Sequence, residues 1–255
     1  MIKRAVAVFA VAASVATGAC QKESAPHPAP AAAPSATPAS AAPAPTGHGV
    51  IEGAVKLNGT PPEMAPTKRD ADPFCAKTPM KEEEVVVGPG GGLGNVVVRV
   101  TEGASGRYDP PAAPATLDQS ACMYRPRVQA IVAGQMVSIR NGDQTLHNVH
   151  GYKGPSTLFN QAEIPGLAPI VRRIGDAGDI LKFKCDVHPW MTGYVLVNSN
   201  PYFAVTGPDG KFKIAGLPPG KYTLTAWQER YGAKTATVTV AEDKPAEVSF
   251  AYDAK

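Results

Sequence analysis

Short runs in which hydrophobic and polar residues alternate begin near Gly49 and continue towards the C-terminus. The runs KFKI at 211–214 and TATVTV at 235–240 have a period of two, which is typical of half-buried β-strands. Turn sequences separate such runs, including GPDG at 207–210 and LPPG at 217–220. No long helical period follows the N-terminal apolar stretch. The pattern therefore predicts an all-β protein with the strand spacing of β-sandwiches.

The N-terminal region has a different composition from the folded part. A basic start, MIKR, precedes the apolar run AVAVFAVAASVATGA, which is too short to span a membrane and predicts a secretory signal over residues 1–19. An Ala/Pro-rich tether is expected over residues 20–49, because 17 of the 22 residues from 25 to 46 are Ala or Pro. Such a composition cannot form an apolar face and stays extended.

The sequence TGAC at the end of the apolar run resembles the lipobox of bacterial lipoproteins. This resemblance implies cleavage before Cys20 and lipid attachment to its thiol, with plain secretion as the alternative. The protein is therefore expected to be exported and lipid-anchored to a membrane that faces the periplasm or the exterior. Gln21, where an Asp often signals inner-membrane retention, favours the outer membrane.

Four potential metal ligands lie in two stretches of the folded part. KFKCDVHPWMTGYVLV, residues 182–197, holds Cys185, His188 and Met191 between two predicted strands, and NGDQTLHNVH places His147 on or beside a strand further upstream. Taken alone, each of these residues would be interpreted as an ordinary side chain of the packed core. Together, a thiolate, two imidazoles and a weak axial thioether form the donor set of a blue-copper site. Zinc could use the Cys and both His, but Met is a poor zinc ligand.

These two stretches resemble the cupredoxin (blue-copper) family, and within it the amicyanin and plastocyanin-like domains. The resemblance rests on HNVH and on the loop C-x2-H-P-x-M, which is followed by x-G and a Val-rich strand. It implies a cupredoxin-like Greek-key β-sandwich over residues 107–198. It also implies that one copper ion, cycling between Cu(I) and Cu(II), is bound by His147, Cys185, His188 and Met191.

The resemblance assigns further roles around the ligands. Asn148 matches the family residue whose hydrogen bonds join the two ligand loops, and such contacts tune a metal site. His150 is the alternative to the earlier histidine of HNVH. In this family the edge of the corresponding histidine usually reaches the surface, so the resemblance implies an exposed edge for His188. Pro189 and Trp190 would then form an apolar collar for a partner, or Trp190 would pack under the loop.

The C-terminal part resembles a second family. PDGKFKIAGLPPGKYTLTAW, residues 208–227, is similar to carboxypeptidase regulatory-like (transthyretin-like) β-sandwiches, and GAVKLNGTP resembles the usual opening of that domain. We expect an N-terminal β segment over residues 50–106 and a regulatory-like segment over residues 199–255. Either both ends form one sandwich with the copper domain inserted, or the units lie in tandem. Glu229 and Arg230 are expected in a solvated turn.

Two cysteines remain after Cys20 and Cys185 are assigned. In an exported protein, such a pair favours a disulfide, here between Cys75 and Cys122. It would tie the segment before the copper domain to the first strand of that domain. Neither cysteine lies in a CxxC or CxxCH pattern, so the sequence does not support haem attachment or thiol-redox chemistry.

The composition of the chain excludes several classes of function. The formal net charge of +3 gives no reason to expect a nucleic-acid partner. Five histidines, two of them in the tether, leave ligands for one metal and exclude the multicopper enzymes. A site filled by four ligands offers no open position for substrate, so we do not expect an enzyme.

Our leading interpretation is a membrane-tethered mononuclear blue-copper protein that transfers one electron in the periplasm or outside the cell. Its partners would be redox proteins, either a cytochrome or a dehydrogenase. One alternative is a copper-binding or copper-delivery protein, against which the tether's lack of a Met-rich run counts. Another is an adhesion or scaffold lipoprotein whose copper is structural.

Overall fold

A computed structural model describes residues 47–242 and 244–254. Within these ranges there is no α-helix, only two short 3-10 turns at Cys75–Lys77 and Pro89–Gly91, and no helix has the length and apolar character needed to cross a membrane. The prediction of an all-β protein is confirmed. The expected signal peptide, Cys20 as the expected lipidation site, and nearly all of the tether lie outside the described residues.

The described residues form seventeen strands. In chain order they are β1 (Gly49–Asn58), β2 (Val97–Glu102), β3 (Ala115–Ser120), β4 (Met123–Arg125), β5 (Val128–Val132), β6 (Met136–Asn141), β7 (His147–Lys153), β8 (Ser156–Glu163), β9 (Ile170–Arg173), β10 (Ile180–Lys184), β11 (Thr192–Asn198), β12 (Phe203–Val205), β13 (Lys211–Leu217), β14 (Gly220–Gln228), β15 (Gly232–Val240), β16 (Ala246–Glu247) and β17 (Phe250–Asp253).

Strands from both ends of the described chain form one sandwich, here called the terminal sandwich. One sheet has the order β13–β1–β16 with β17 also paired to β1, and the other has the order β12–β2–β14–β15. Alternation in β13 buries Phe212 and Ile214 in the core between these sheets. Gly210, in the GPDG turn before β13, has φ +71°, and a Cβ there would lie 2.2 Å from the carbonyl oxygen of Val55. The turn therefore requires glycine for β13 to pair with β1.

The middle of the chain forms a second sandwich, here called the central sandwich. Its sheets have the orders β5–β11–β10–β7–β8 and β4–β3–β6–β9. Leu117, Ile139, Phe183 and Val195 are fully buried between them. The segment between β1 and β2, which belongs to the expected 50–106 unit, also contributes to this core through its Cys75.

A small apolar cluster joins the two sandwiches. Val97 of β2 packs against Val128 of β5 and Leu196 of β11, and all three are buried. Beside them the rings of Tyr194 and Trp227 meet edge to face, with centroids 5.2 Å apart. The sheets β5–β11–β10–β7–β8 and β12–β2–β14–β15 therefore contact each other directly.

A buried ion pair lies at the same junction. Arg127 donates from Nε to Glu229 Oε1 (2.6 Å) and from a terminal nitrogen to Glu229 Oε2 (2.9 Å), and the two side chains are 5% and 4% exposed. The expectation of a solvated turn is therefore wrong for Glu229. Its carboxylate points into the junction because Arg127, 102 residues earlier, faces it there. The neighbouring Arg230 stays exposed and pairs with Glu84.

Replacing Glu229 by glutamine is expected to lower the free energy of unfolding by about 3–5 kcal/mol, because a buried guanidinium loses its counter-charge. Glu84→Gln is the matched control, since it removes the partner of a partly exposed arginine and should cost less than about 1 kcal/mol. Urea denaturation of both variants measures the difference. Equal losses in the two variants would argue against a special role for the buried pair.

Candidate metal centre

Three connections meet at one end of the central sandwich. His147 is the first residue of β7, Cys185 directly follows β10, and Met191 directly precedes β11. His188 lies in the turn between Cys185 and Met191. His147, Cys185 and Met191 are fully buried, and His188 is 4% exposed. The structure therefore brings all four sequence-predicted ligands to one buried place.

The donor atoms of three of these residues converge. The Nδ1 atoms of His147 and His188 are 2.8 Å apart, and Cys185 Sγ lies 3.9 Å and 3.7 Å from them. A point equidistant from the three atoms lies roughly 2 Å from each, close to usual metal–nitrogen and metal–sulfur bond lengths. These three residues could therefore hold one metal ion. Met191 packs in the same hydrophobic core as Cys185.

Backbone hydrogen bonds fix the shape of the ligand loop. The N–H of Met191 donates to the carbonyl of His188 (2.9 Å), and the N–H of Cys185 donates to the carbonyl of Met191 (3.4 Å). These backbone hydrogen bonds therefore connect Cys185, His188 and Met191 within one closed loop.

Asn148 joins the ligand loop to β7. Its backbone N–H donates to Cys185 Sγ (3.5 Å), and its side-chain Oδ1 accepts from the backbone N–H of Asp186 (2.6 Å). Its Nδ2 donates to carboxylate oxygen Oδ2 of Asp186 (2.9 Å) and to Asn160 (2.7 Å). Asn148 therefore occupies the place that the resemblance implied for it, between the two ligand-bearing segments.

Each imidazole has a carboxylate on its outer nitrogen, and sequence reasoning missed both carboxylates. Asp143 Oδ2 lies 2.9 Å from His147 Nε2, and Asp72 Oδ2 lies 3.0 Å from His188 Nε2. Asp143 precedes His147 by four residues, so its proximity was a usable signal. Asp72 is 116 residues from His188, and nothing in the local pattern points to it.

The carboxylates also change the acidity of the imidazoles. Burial lowers the pKa of His147, but hydrogen bonds to Asp143 and Cys185 outweigh burial and raise this pKa to about 9. Burial lowers the pKa of His188 by more than its hydrogen bond to Asp72 raises it. Burial raises the pKa of Asp143, but its bonds to His147 and to two backbone N–H groups hold that pKa below its usual value. Because the pKa of His147 is raised, its imidazole is protonated near neutral pH, and a metal that binds its Nδ1 would have to displace a proton.

A short segment, residues 69–77, covers the outer edge of His188, and we call it the covering segment. Because Asp72 of this segment caps Nε2, His188 is buried, and the expectation that its edge reaches the surface is wrong. Trp190 donates from Nε1 to the carbonyl of Cys122 (3.0 Å), and Arg69 lies over its ring. Of the two arrangements considered for Trp190, the structure has the packed one.

The structure joins Cys75 of the covering segment to Cys122 in a disulfide, with the Cα atoms 5.7 Å apart. The backbone N–H of Cys75 donates to Asp72 (3.1 Å), and that of Cys122 donates to Asp143 (2.7 Å). The disulfide therefore connects the two places at which the carboxylates beside the imidazoles are held.

The remaining histidines lie elsewhere. His150 hydrogen-bonds to Asp186 (3.0 Å) and Thr157 (3.0 Å), and it belongs to none of the potential metal clusters among the described residues. The alternative assignment of His150 as the ligand therefore has no geometric support. His48 is exposed near the start of the described chain, and His27 lies outside the described residues.

Comparisons with known proteins match both parts of the chain. Residues 194–253 match the carboxypeptidase regulatory-like domain, whereas no curated protein matches the sequence. Among solved structures, a purple cupredoxin from Nitrosopumilus maritimus is 25% identical, covering 33% of this chain and 99% of its own, with a TM-score of 0.29. Amicyanin from Paracoccus versutus is 24% identical, covering 40% of this chain and 97% of its own, with a TM-score of 0.30. The chain is thus similar to a carboxypeptidase regulatory-like domain near its C-terminus and to cupredoxins over about a third of its length.

Proposed function

We propose that the chain is a mononuclear blue-copper protein that carries one electron between redox partners. The observation that carries the proposal is the convergence of His147 Nδ1, His188 Nδ1 and Cys185 Sγ on one point. Met191 packs in the same hydrophobic core as Cys185. Two imidazoles, a thiolate and a weak thioether are the donor set of blue-copper sites. Bound copper would supply a one-electron couple between Cu(I) and Cu(II).

The residues of the chain support electron transfer better than catalysis. All four donors are at most 4% exposed, so a substrate has no direct access to the metal position. The hydrogen bonds of the ligand loop and of Asn148 hold the donors in place in either oxidation state. A fixed donor set keeps the rearrangement on electron transfer small. We therefore propose that the chain is not an enzyme.

A small surface beside the site is suited to a redox partner. A cavity of about 250 Å³ there is lined by Leu146, Val187 and His188, among others. Leu146 is 46% and Val187 is 51% exposed. Exposed apolar side chains beside a buried centre favour transient docking of a redox protein such as a cytochrome or a dehydrogenase.

We further propose that the protein is exported and lipid-anchored through Cys20. The support is the sequence alone, namely the short apolar signal, the TGAC ending and the Ala/Pro-rich tether. A lipid-anchored tether would hold the electron carrier near membrane-bound partners that face the same compartment.

Copper titration of the full chain tests the proposal. We expect one Cu(II) per chain, an intense visible absorption from the thiolate–copper bond, and reversible one-electron reduction. The variant His150→Ala is the matched control, because it removes a histidine from β7 without removing a donor, and it should keep the absorption. A colourless complex or irreversible reduction would refute blue-copper electron transfer. Rapid copper loss to a chelator would instead favour a delivery protein.

A further inference from the structure

We propose that Asp72 of the covering segment is a positioning residue for the copper centre. The inference rests on the proposed function and deepens it. The covering segment lies outside residues 107–198, the range expected for the copper domain. Its Asp72 orients the ring of His188 and places a negative charge beside that ring, which favours Cu(II) over Cu(I).

The orienting contact lies on the outer nitrogen of the ring. His188 Nε2 lies 3.0 Å from Asp72 Oδ2. Because an ionised carboxylate can only accept, Nε2 would carry the proton of this hydrogen bond, which leaves Nδ1 free to act as the metal donor. That Nδ1 faces Cys185 Sγ at 3.7 Å and His147 Nδ1 at 2.8 Å. The hydrogen bond at one nitrogen thus determines both the ring orientation and the role of the other nitrogen.

The carboxylate of Asp72 is itself held on several sides. Its Oδ1 accepts from the backbone N–H groups of Phe74 (2.7 Å) and Cys75 (3.1 Å). Its Oδ2 also accepts from the hydroxyl of Thr145 (2.7 Å), two residues before His147. Asp72 therefore hydrogen-bonds both to Thr145, which lies just before His147 in the chain, and to the ring of His188. Its side chain is only 17% exposed.

The covering segment is anchored to the central sandwich at two points. Cys75 forms the disulfide with Cys122, and the buried guanidinium of Arg69 donates to the carbonyl of Ala121. Arg69 also lies 5.9 Å from the centre of the Trp190 ring. Asp72, between these anchors, is consequently held at a fixed distance from His188.

The charge of Asp72 acts through one imidazole on the metal position. A carboxylate attracts Cu(II) more strongly than Cu(I). One imidazole ring away from the metal position and at an effective dielectric constant near 20, one unit of charge would change the ratio of Cu(II) to Cu(I) affinity by roughly tenfold or more. Removing the charge should therefore shift the balance towards Cu(I).

The test compares Asp72→Asn with Asp70→Asn, which removes the same charge from an exposed residue of the same segment. In the copper-loaded full chain, Asp72→Asn should lower the ratio of Cu(II) to Cu(I) affinity at least tenfold, a rise of about 59 mV in the reduction potential. Asp70→Asn should change this ratio less than threefold, and Asp72→Glu should restore it to within threefold of the unsubstituted chain. Equal shifts in the two asparagine variants would overturn the electrostatic role of Asp72.

A second measurement needs neither copper nor a variant. Two-bond ¹H–¹⁵N spectra of the metal-free full chain report which nitrogen of His188 carries the proton. A proton on Nε2 supports positioning by Asp72, and a proton on Nδ1 overturns it, even where Asp72→Asn does not fold. Failure of the chain to bind copper would refute the proposed function separately, because the proton position is still measured.

Discussion

Replacing Cys185 by serine is expected to abolish the visible absorption of the copper-loaded chain and to weaken copper binding by more than about 100-fold. Loss of a hydrogen-bond partner of a metal ligand already costs roughly 10–100-fold in metal affinity, and under the proposed function Cys185 would itself be a ligand. Its Sγ lies within 3.9 Å of both imidazole Nδ1 atoms, and it is the free cysteine of the described residues. Copper titration against a competing chelator, followed by absorption, measures both effects.

The variant Met191→Ala is the contrasting control. Met191 packs in the same hydrophobic core as Cys185 but is expected to be the weak axial ligand, so its loss should shift the spectrum and the reduction potential while the colour remains. Retention of the visible absorption by Cys185→Ser would mean that the thiolate is not a donor. An unchanged spectrum for Met191→Ala would mean that the thioether is not one.

Replacing both Cys75 and Cys122 by serine is expected to lower the free energy of unfolding by about 4 kcal/mol. The disulfide closes a loop with a sequence separation of 47 residues, and the loss follows from the larger entropy of the open unfolded chain. Urea denaturation of the double variant and of the unsubstituted chain measures the difference in unfolding free energy. The comparison requires that the unfolding free energy falls with urea concentration at the same slope in both proteins.

The same variant should also expose the metal centre. Asp72 and Asp143 accept hydrogen bonds from the backbone of the two cysteines, so a released covering segment no longer caps His188. We expect faster copper loss to a chelator, and reduction of the unsubstituted chain by a phosphine should reproduce it. Unchanged stability together with unchanged copper loss would show that the covering segment is held without the disulfide.

Most strands could be predicted from local pattern, but β8 could not. Its sequence STLFNQAE has no regular alternation, and seven of its eight residues are exposed or half-buried. β8 is an edge strand that pairs only with β7. Its pairing depends on backbone hydrogen bonds to a neighbour rather than on an apolar face, and such bonds leave little trace in the order of side chains.

The candidate site likewise contains some residues that the sequence predicts and others that it does not. Cys185, His188 and Met191 lie within seven residues, so their spacing on a short loop between strands already indicates a common centre. Asp72 could not be found in this way, because its contact with His188 depends on the path of the chain between β1 and β2. Glu229 was misjudged for a similar reason, since its partner Arg127 lies in the other sandwich.

Local spacing alone predicts an all-β protein with one cluster of sulfur and imidazole donors. This is possible because strand periodicity and loop motifs depend only on residues that are close together in the sequence. The fold decides what surrounds those donors. It buries His188, places a carboxylate on each imidazole and pairs Arg127 with Glu229. These contacts join residues far apart in the sequence, and they form only when the strand order and the route of the covering segment bring them together.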